Sequence, residues 1–497
     1  MISVALIGWP ILMIIMARTL PWPNTIVASL IGGYLLLPER GGLNLPLLPP
    51  FEKDTIPCLV LLILALVMRP GEKPVPAGIS PAVSTLSGWS PKSTIGVILL
   101  LMFIAGALLT ALTNSDRLRF ADTGFSIPGL SLYDGFSLIV RSVAMIGPIL
   151  LGRKYLADAQ GHRVLLVGLV FAGLAYSLLA LTEVRLSPQM NRWVYGFFPH
   201  SWAQHIRDGG FRPLVFLEHG LLLAIFFAMT VLASIGLYRS ETKNQKRWLL
   251  AGAWLLLTLL LSNSLGALAI AVVFLPVILI LSVQAQLLFA SVIAGSILIY
   301  PLMRGVDLVP TDRIVSIAES YSEERARSLQ FRLRNEDELL ARAKERPFFG
   351  WGPYSRSRIF NEQGETESVV DGFWIVSIGQ GGWVRYLAEF GLMSIPLILL
   401  ALRRRKYNAD QVTATLCLVL AANMVDMIPN SGRSPITWLI VGALIGRLEL
   451  GGERAASTTK SAPRQPVRSG LTMARGEVSP YTRQYNRHYR KQPVLKR

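Results

Sequence analysis

Arg212, Glu218 and His219 stand close together in Gly210-Phe211-Arg212-Pro213-Leu214-Val215-Phe216-Leu217-Glu218-His219-Gly220, where a polar segment runs into a long apolar one. An arginine presents a planar, permanently charged fork that meets a phosphate or carboxylate with two parallel hydrogen bonds. Glutamate and histidine can take the proton from a weak hydroxyl nucleophile. These residue types therefore suit group transfer from a donor with an anionic leaving group, which needs fixed positive charge more than a strong acid. Asp371, in Asp371-Gly372-Phe373-Trp374, is a second candidate proton acceptor. A plainer role for each is at hand. Arg212 can reach to lipid headgroups, His219 can bond within a helix bundle, and Asp371 can cap the helix that follows it.

The elements that must position these groups are membrane helices. Apolar residues make up 52% of the 497 and charged ones 16%, against roughly 25% in a soluble domain, and mean hydropathy is +0.45. Thirteen apolar runs recur: 2–16, 25–37, 56–68, 94–113, 135–151, 164–181, 217–237, 249–261, 265–282, 287–303, 384–402, 412–428 and 436–445. The expected fold is all-α and polytopic, with 11 to 14 spans. Ionisable groups at membrane depth are costly and usually functional, which favours a working role for Glu218 and His219 and singles out Arg141 within its run.

Charge sets the threading. Arg403-Arg404-Arg405-Lys406, the group Arg239/Lys243/Lys246/Arg247 and the group Arg153/Lys154/Arg163 fall on one side, which the positive-inside bias makes cytoplasmic. Segments 182–216 and 304–382 then lie outside. Ile2–Met16 reads as a retained first span, since no basic leader or cleavage site precedes it. The chain divides into N-terminal spans (1–303), a large outer loop (304–382), C-terminal spans (383–446) and a tail (447–497). In the loop, Ile314, Ile317, Ala318 and Tyr321 fall at helical spacing, Asn335-x-x-Glu338 has the form of a capping signature, Glu336-Asp337-Glu338 reads as a solvated helix start, and Pro347 and Gly350 close the helix.

The net charge of +18 does not point to nucleic acid, because the tail alone carries 12 Lys/Arg against 3 Asp/Glu. Without apolar periodicity the tail reads as disordered, and anionic membrane lipid is its expected partner. Cys58 and Cys417 sit in different apolar runs and exclude a disulfide framework. Scattered histidines and the lack of a phosphate loop or dinucleotide fingerprint give no expectation of a metal or cofactor.

Two patterns carry a resemblance: Arg346-Pro347-x-x-Gly350-x-Gly352, and Asp371-x-x-Trp374 followed by Gly382, Glu389, Gly391 and Leu392. Together with Phe211-Arg212-Pro213-x-Val215-Phe216-x-x-His219-Gly220-Leu221, they resemble the bacterial O-antigen ligase and polymerase family. The resemblance implies a glycosyltransferase on the outer side of the inner membrane. It would take undecaprenyl-diphosphate-linked glycan and work beside other polysaccharide-assembly proteins. On this reading Arg212, Glu218, His219 and Asp371 are catalytic, and Arg332, Arg346, Arg356, Trp374 and Arg141 bind substrate, with Phe331 and Tyr354 beside two of the arginines able to stack on a sugar ring. The chain departs from ligase members in two places. It has Asp371 and no histidine between His219 and His488, and Ser262-Asn263-Ser264-Leu265-Gly266 puts Leu265 where ligases tend to carry an arginine. Arg212 is the obvious substitute. Polymerase is thus the leading expectation. A ligase passing glycan to lipid A core or protein, and a transporter or flippase for a lipid-linked sugar, are its rivals.

Overall fold

The computed structural model describes residues 1–44, 49–68, 85–119, 125–199, 201–207, 210–361, 363–404 and 409–461. Each of the thirteen apolar runs has its helix: α1 (Ile2–Thr19), α2 (Trp22–Leu36), α3 (Thr55–Met68), α4 (Thr94–Thr113), α5 (Leu132–Tyr155), α6 (Ala159–Leu186), α8 (Gly220–Ser240), α9 (Gln245–Leu261), α10 (Leu265–Ile280), α11 (Val283–Gly305), α14 (Phe373–Leu402), α15 (Gln411–Asp426) and α16 (Pro435–Ser461). Between them lie the short α7 (Met190–Tyr195) and the polar pair α12 (Thr311–Tyr321) and α13 (Glu323–Lys344). Two antiparallel two-residue pairs, Leu118–Arg119 with Ser126–Ile127 and Ile206–Arg207 with Gly210–Phe211, are the strands among the described residues.

Seven helices, α1, α4, α5, α6, α8, α11 and α14, are long and apolar enough to cross a membrane unaided. That is fewer than the 11 to 14 spans expected, and length is the reason for five of the other six: α2, α3, α9, α10 and α15 run only 14 to 17 residues. The chain fits a multi-pass membrane protein. Its compact unit covers Met1–Ala455. The segment after Arg447, expected to be irregular, continues α16 as helix to Ser461, and 462–497 fall outside the described residues.

Within the compact unit α8 is the axis, buried at almost every position from Leu223 to Leu237, and α15 is buried nearly as fully. Helices that are apolar all round belong in such an interior. Where α5 crosses α16 the backbones nearly touch: a Cβ at Gly152 would lie 2.4 Å from the Leu439 carbonyl oxygen, and one at Gly442 2.2 Å from that of Ile149. Small residues permit this approach, and contact between backbones substitutes for the hydrophobic drive that lipid removes.

The bundle has two unlike ends. At one, Arg163 pairs with Glu241 at 2.5 Å, His162 bonds Thr413 Oγ1 and the Ala443 carbonyl, and Arg239 donates to the carbonyls of Ile278 and Leu281. Arg153, wholly buried, places Nε and Nη2 on Glu449 and Nη1 on the carbonyls of Gly88 and Trp89. These contacts gather the starts of α6 and α15 with the ends of α5, α8 and α10. The sequence threading put the same basic groups on one side.

At the other end sit the segments joining α6 to α8 and α11 to α14. Glu183, buried near the end of α6, accepts N–H bonds from Met190, Leu214 and Val215 and so folds the first connection back on the bundle. In the second, α13 packs on α14. Here Asn335 is no helix cap: it lies mid-helix, donating to the Phe331 carbonyl and accepting from the Val369 N–H at 2.9 Å. Glu336 is no solvated start either, since it is buried and accepts from Trp374 Nε1.

Candidate functional site

The elements of the second end meet at the turn 427–434 between α15 and α16. Phe373 opens α14 by donating its N–H to the carbonyls of Met427 and Asn430. Gly432 lies against Leu222 of α8 and the Asp426 carboxylate. Arg433 then lines an open cleft together with Glu52, Asp54, Arg141, Ser434 and Trp438. The cleft thus joins the start of α3, the middle of α5 and the start of α16.

Two arginines in this cleft are lightly held. Arg141 has one ion-pair contact, Nη2 to Glu52 Oε2 at 3.5 Å, with about half of each side chain exposed. Arg433 has Met145 Sδ at 3.6 Å, Glu389 Oε1 at 3.9 Å and the Phe373 ring at 5.7 Å. Desolvation and the nearby Arg385 lower its pKa from the ordinary arginine value, and Glu389 opposes them; an arginine stays charged regardless. Behind it stands a fixed network. Glu389 is fully buried, accepting from Ser377 Oγ at 2.6 Å and Arg385 Nε at 3.1 Å, while Arg385 Nη1 donates to Gln380 Oε1.

That network spans a break in α14. Gly382 has φ +64° and ψ −166°, and a Cβ there would lie 2.4 Å from the Phe348 backbone. The turn after α13 satisfies the groups the break exposes: Trp351 and Gly352 donate N–H to the Gly379 and Gln380 carbonyls, and Trp383 and Val384 donate to those of Pro347 and Phe348. Thr110 and Asn114 at the end of α4 hold the Phe349 and Gly350 carbonyls. Buried backbone groups left open at a helix break require such substitute partners. The Arg346-Pro347-x-x-Gly350-x-Gly352 pattern is this splint.

The arginines of the pattern are anchors. Arg346 donates to both Asp116 oxygens, to Asn114 Oδ1 and to the Thr113 carbonyl, and its guanidinium lies 4.0 Å over Trp351. Arg356, fully buried, donates to the Trp351 and Pro128 carbonyls and to Asp116. The hydrogen bond and charge of Arg346 hold the Asp116 carboxyl below its ordinary pKa. Arg332 pairs with Asp371 at 3.3 Å, both partly exposed. Asp371 does not cap α14, whose first flanking residue is Gly372 with no side-chain cap. Trp374 is fully buried, its ring edge-on to Tyr300 at 5.0 Å. Glu336, receiving the Trp374 N–H, has its pKa raised to about 7, chiefly by desolvation.

Arg212 lies with Nε and Nη2 on the Asn263 carbonyl at 3.3 and 3.0 Å, beside the turn where Leu265 stands. His219 caps α8, its Nδ1 accepting from Leu221 N–H, and its ring is 5.0 Å from that of His205; Glu218 is exposed. Of the nine residues singled out in the sequence, Arg141 lines the cleft, Arg212 and His219 stand at the start of α8, and Arg346 and Arg356 share Asp116.

Reading the sequence missed Arg433, Arg385, Glu52 and Asp54, and took Glu389 only as part of a pattern. Two signals were present. Arg385 and Glu389 are an i,i+4 pair inside an apolar run, and Arg433 is a basic residue in a short connection on the side the charge bias leaves poor in them. Among the described residues no group of acidic, histidine or cysteine side chains could hold a metal ion. No family model, no curated protein and no solved structure matches the chain.

Proposed function

We propose that the chain is a polysaccharide polymerase of the bacterial inner membrane, a glycosyltransferase that joins polyprenyl-diphosphate-linked oligosaccharide repeat units into exopolysaccharide or O-antigen on the periplasmic side. One observation carries the reading: Arg141 and Arg433, two weakly committed guanidinium groups, share an open cleft with the carboxylates Glu52 and Asp54 in a bundle of membrane-length helices.

The chemistry follows from these groups. The arginines neutralise the diphosphate as it departs, where fixed charge lowers the barrier without reorganisation. Asp54, exposed at the cleft, accepts the proton of the attacking sugar hydroxyl. The hydroxyl oxygen bonds to the anomeric carbon, the bond to the diphosphate breaks, and the lipid diphosphate leaves with the electron pair. Glu389 and Arg385 keep Arg433 in place. Arg212 and His219 stand at the start of α8, outside the residues that line the cleft, and Arg332 with Asp371 stands at the start of α14. In this reading the end with the 304–372 connection faces the periplasm, and the basic end and tail face the cytoplasm and its anionic lipids.

Deleting the gene tests the class. The expected result is single lipid-linked repeat units exposed outside the cytoplasm and no long polymer. Repeat units retained on the cytoplasmic face would overturn the reading in favour of transport. Long polymer left on its lipid carrier would overturn it in favour of a ligase.

A further inference from the structure

α12 shows an apolar face that the protein leaves uncovered. Ile314 and Ile317, one turn apart, are 42% and 61% exposed, whereas Asp312, Ser316 and Glu319 occupy the opposite side and Arg313 and Ser320 flank the face. None of its residues with a described side chain is buried, and its packing partner is α13. Water is a poor medium for such a face.

The surroundings identify what covers it. α11, a membrane-length helix, ends at Gly305, and α12 begins at Thr311. The outer part of α11 exposes Ile299 and Leu302, and the link exposes Val306 and Leu308, at 64% and 66%. The apolar surface of a spanning helix therefore passes through the link toward α12 with no polar interval other than Asp307 and the Pro310–Asp312 turn. A link of five residues, at most about 20 Å even if fully extended, keeps α12 close to the end of α11.

We propose that α12 lies in the lipid–water interface, with Ile314 and Ile317 among the upper acyl chains and its acidic and hydroxyl side chains toward water. Short amphipathic helices bind this zone through buried apolar area. The partner is the bilayer itself. α12 then fixes the height of α13, and through the Arg304–Asp337 pair at 2.9 Å and the bond from Trp374 to Glu336 the height of α14's first turns. This inference does not depend on the reaction proposed above.

Single cysteines test it. Ile314→Cys, Ile317→Cys, Ser316→Cys and Glu319→Cys are labelled with an environment-sensitive fluorophore in the full chain, reconstituted in phosphatidylcholine–phosphatidylglycerol nanodiscs. Cys58 and Cys417 are buried, and the unsubstituted protein gives the labelling blank. Lipid carrying a spin label near the headgroup should quench positions 314 and 317 roughly twofold or more over positions 316 and 319, with blue-shifted emission at the first pair. Equal quenching at all four positions would overturn the proposal. So would a blue shift at 314 and 317 without lipid quenching, which would mean a protein surface covers the face.

Discussion

Arg153 and Arg141 lie on the same helix and do opposite things. At the basic end Arg153 spends all three guanidinium nitrogens on Glu449 and two carbonyls and is wholly buried. A little over three turns away, Arg141 has a single 3.5 Å contact and is half exposed. The comparison extends to the ends as wholes: Arg163 and Arg239 tie helices together, whereas Arg433 looks into a cleft. Arginine content says little about either end. What separates a strut from a binding group is how many of its donors the protein has already used. Arg346 and Arg356 sharpen the point, since their donors are committed to Asp116 and nearby carbonyls and so they belong with Arg153.

The largest effect expected is one of sidedness. A reporter active only outside the cytoplasm should work when fused near Glu338 and fail when fused near Arg468; the reverse would exchange the roles of the two ends. Next, Arg433→Ala should lower polymer formation by roughly 10²–10³-fold at normal protein level, with Arg433→Lys recovering part of it. Asp54→Asn should cost about 10²–10⁴-fold if its carboxylate takes the proton. Full activity in Arg433→Ala alongside none in Arg212→Ala would move the site to the Arg212–Asn263 contact at the start of α8. Arg153→Ala should behave differently, removing protein from the membrane by destabilising it about 3–5 kcal/mol, because Glu449 is left buried and unpaired. Surviving protein should retain its specific activity. If Arg153→Ala is stable and inactive, the distinction between strut and binding group fails.

Gly382→Ala comes next, with a thermal-melt loss of about 1–3 kcal/mol or more from forced backbone geometry and a 2.4 Å clash. The smallest effect is a pH dependence. The folded pKa of Glu336 is raised to about 7, first by desolvation, with Trp374 and Arg304 opposing and Asp337 and Asp371 adding to it. A raised carboxyl means the folded state holds a proton that the unfolded state has released. Its contribution is therefore present at low pH and declines as pH rises from the unfolded value of about 4.3 to about 7. Protection factors in α13, taken relative to the intrinsic exchange rate at each pH, should fall over that window, and Glu336→Gln should flatten the profile.

Much of the frame was legible in the sequence, because membrane-length apolar runs and basic clusters are local signals. All thirteen runs are helical, and two of the three basic groups meet where Arg163 pairs with Glu241 at the end of α8 that carries Arg239. The loop misled where a local signal had two meanings. Asn335-x-x-Glu338 looks like a cap in isolation, yet Asn335 and Glu336 face Val369 and Trp374, partners more than thirty residues away. The cleft was illegible for the same reason: Glu52, Arg141 and Arg433 come from three distant segments, and only helix packing brings them together. Arg346 looked like a ligand group because nothing local reveals that Asp116 already holds it.

The break at Gly382 bears on how the chain enters the bilayer. The apolar run recognised in the sequence begins at Val384, whereas the helix begins at Phe373. Trp383–Leu402 alone is about 20 residues, roughly 30 Å, enough to cross the hydrocarbon. The insertion machinery thus meets a complete span without the Phe373–Gly381 portion. The carbonyls of Gly379 and Gln380 in that portion accept from Trp351 and Gly352, which emerge from the ribosome some thirty residues sooner and must wait for their partners. The order of synthesis and the hydrogen bonding are thereby coupled: the earlier-made turn becomes a mould, and the later-made half-helix is cast against it.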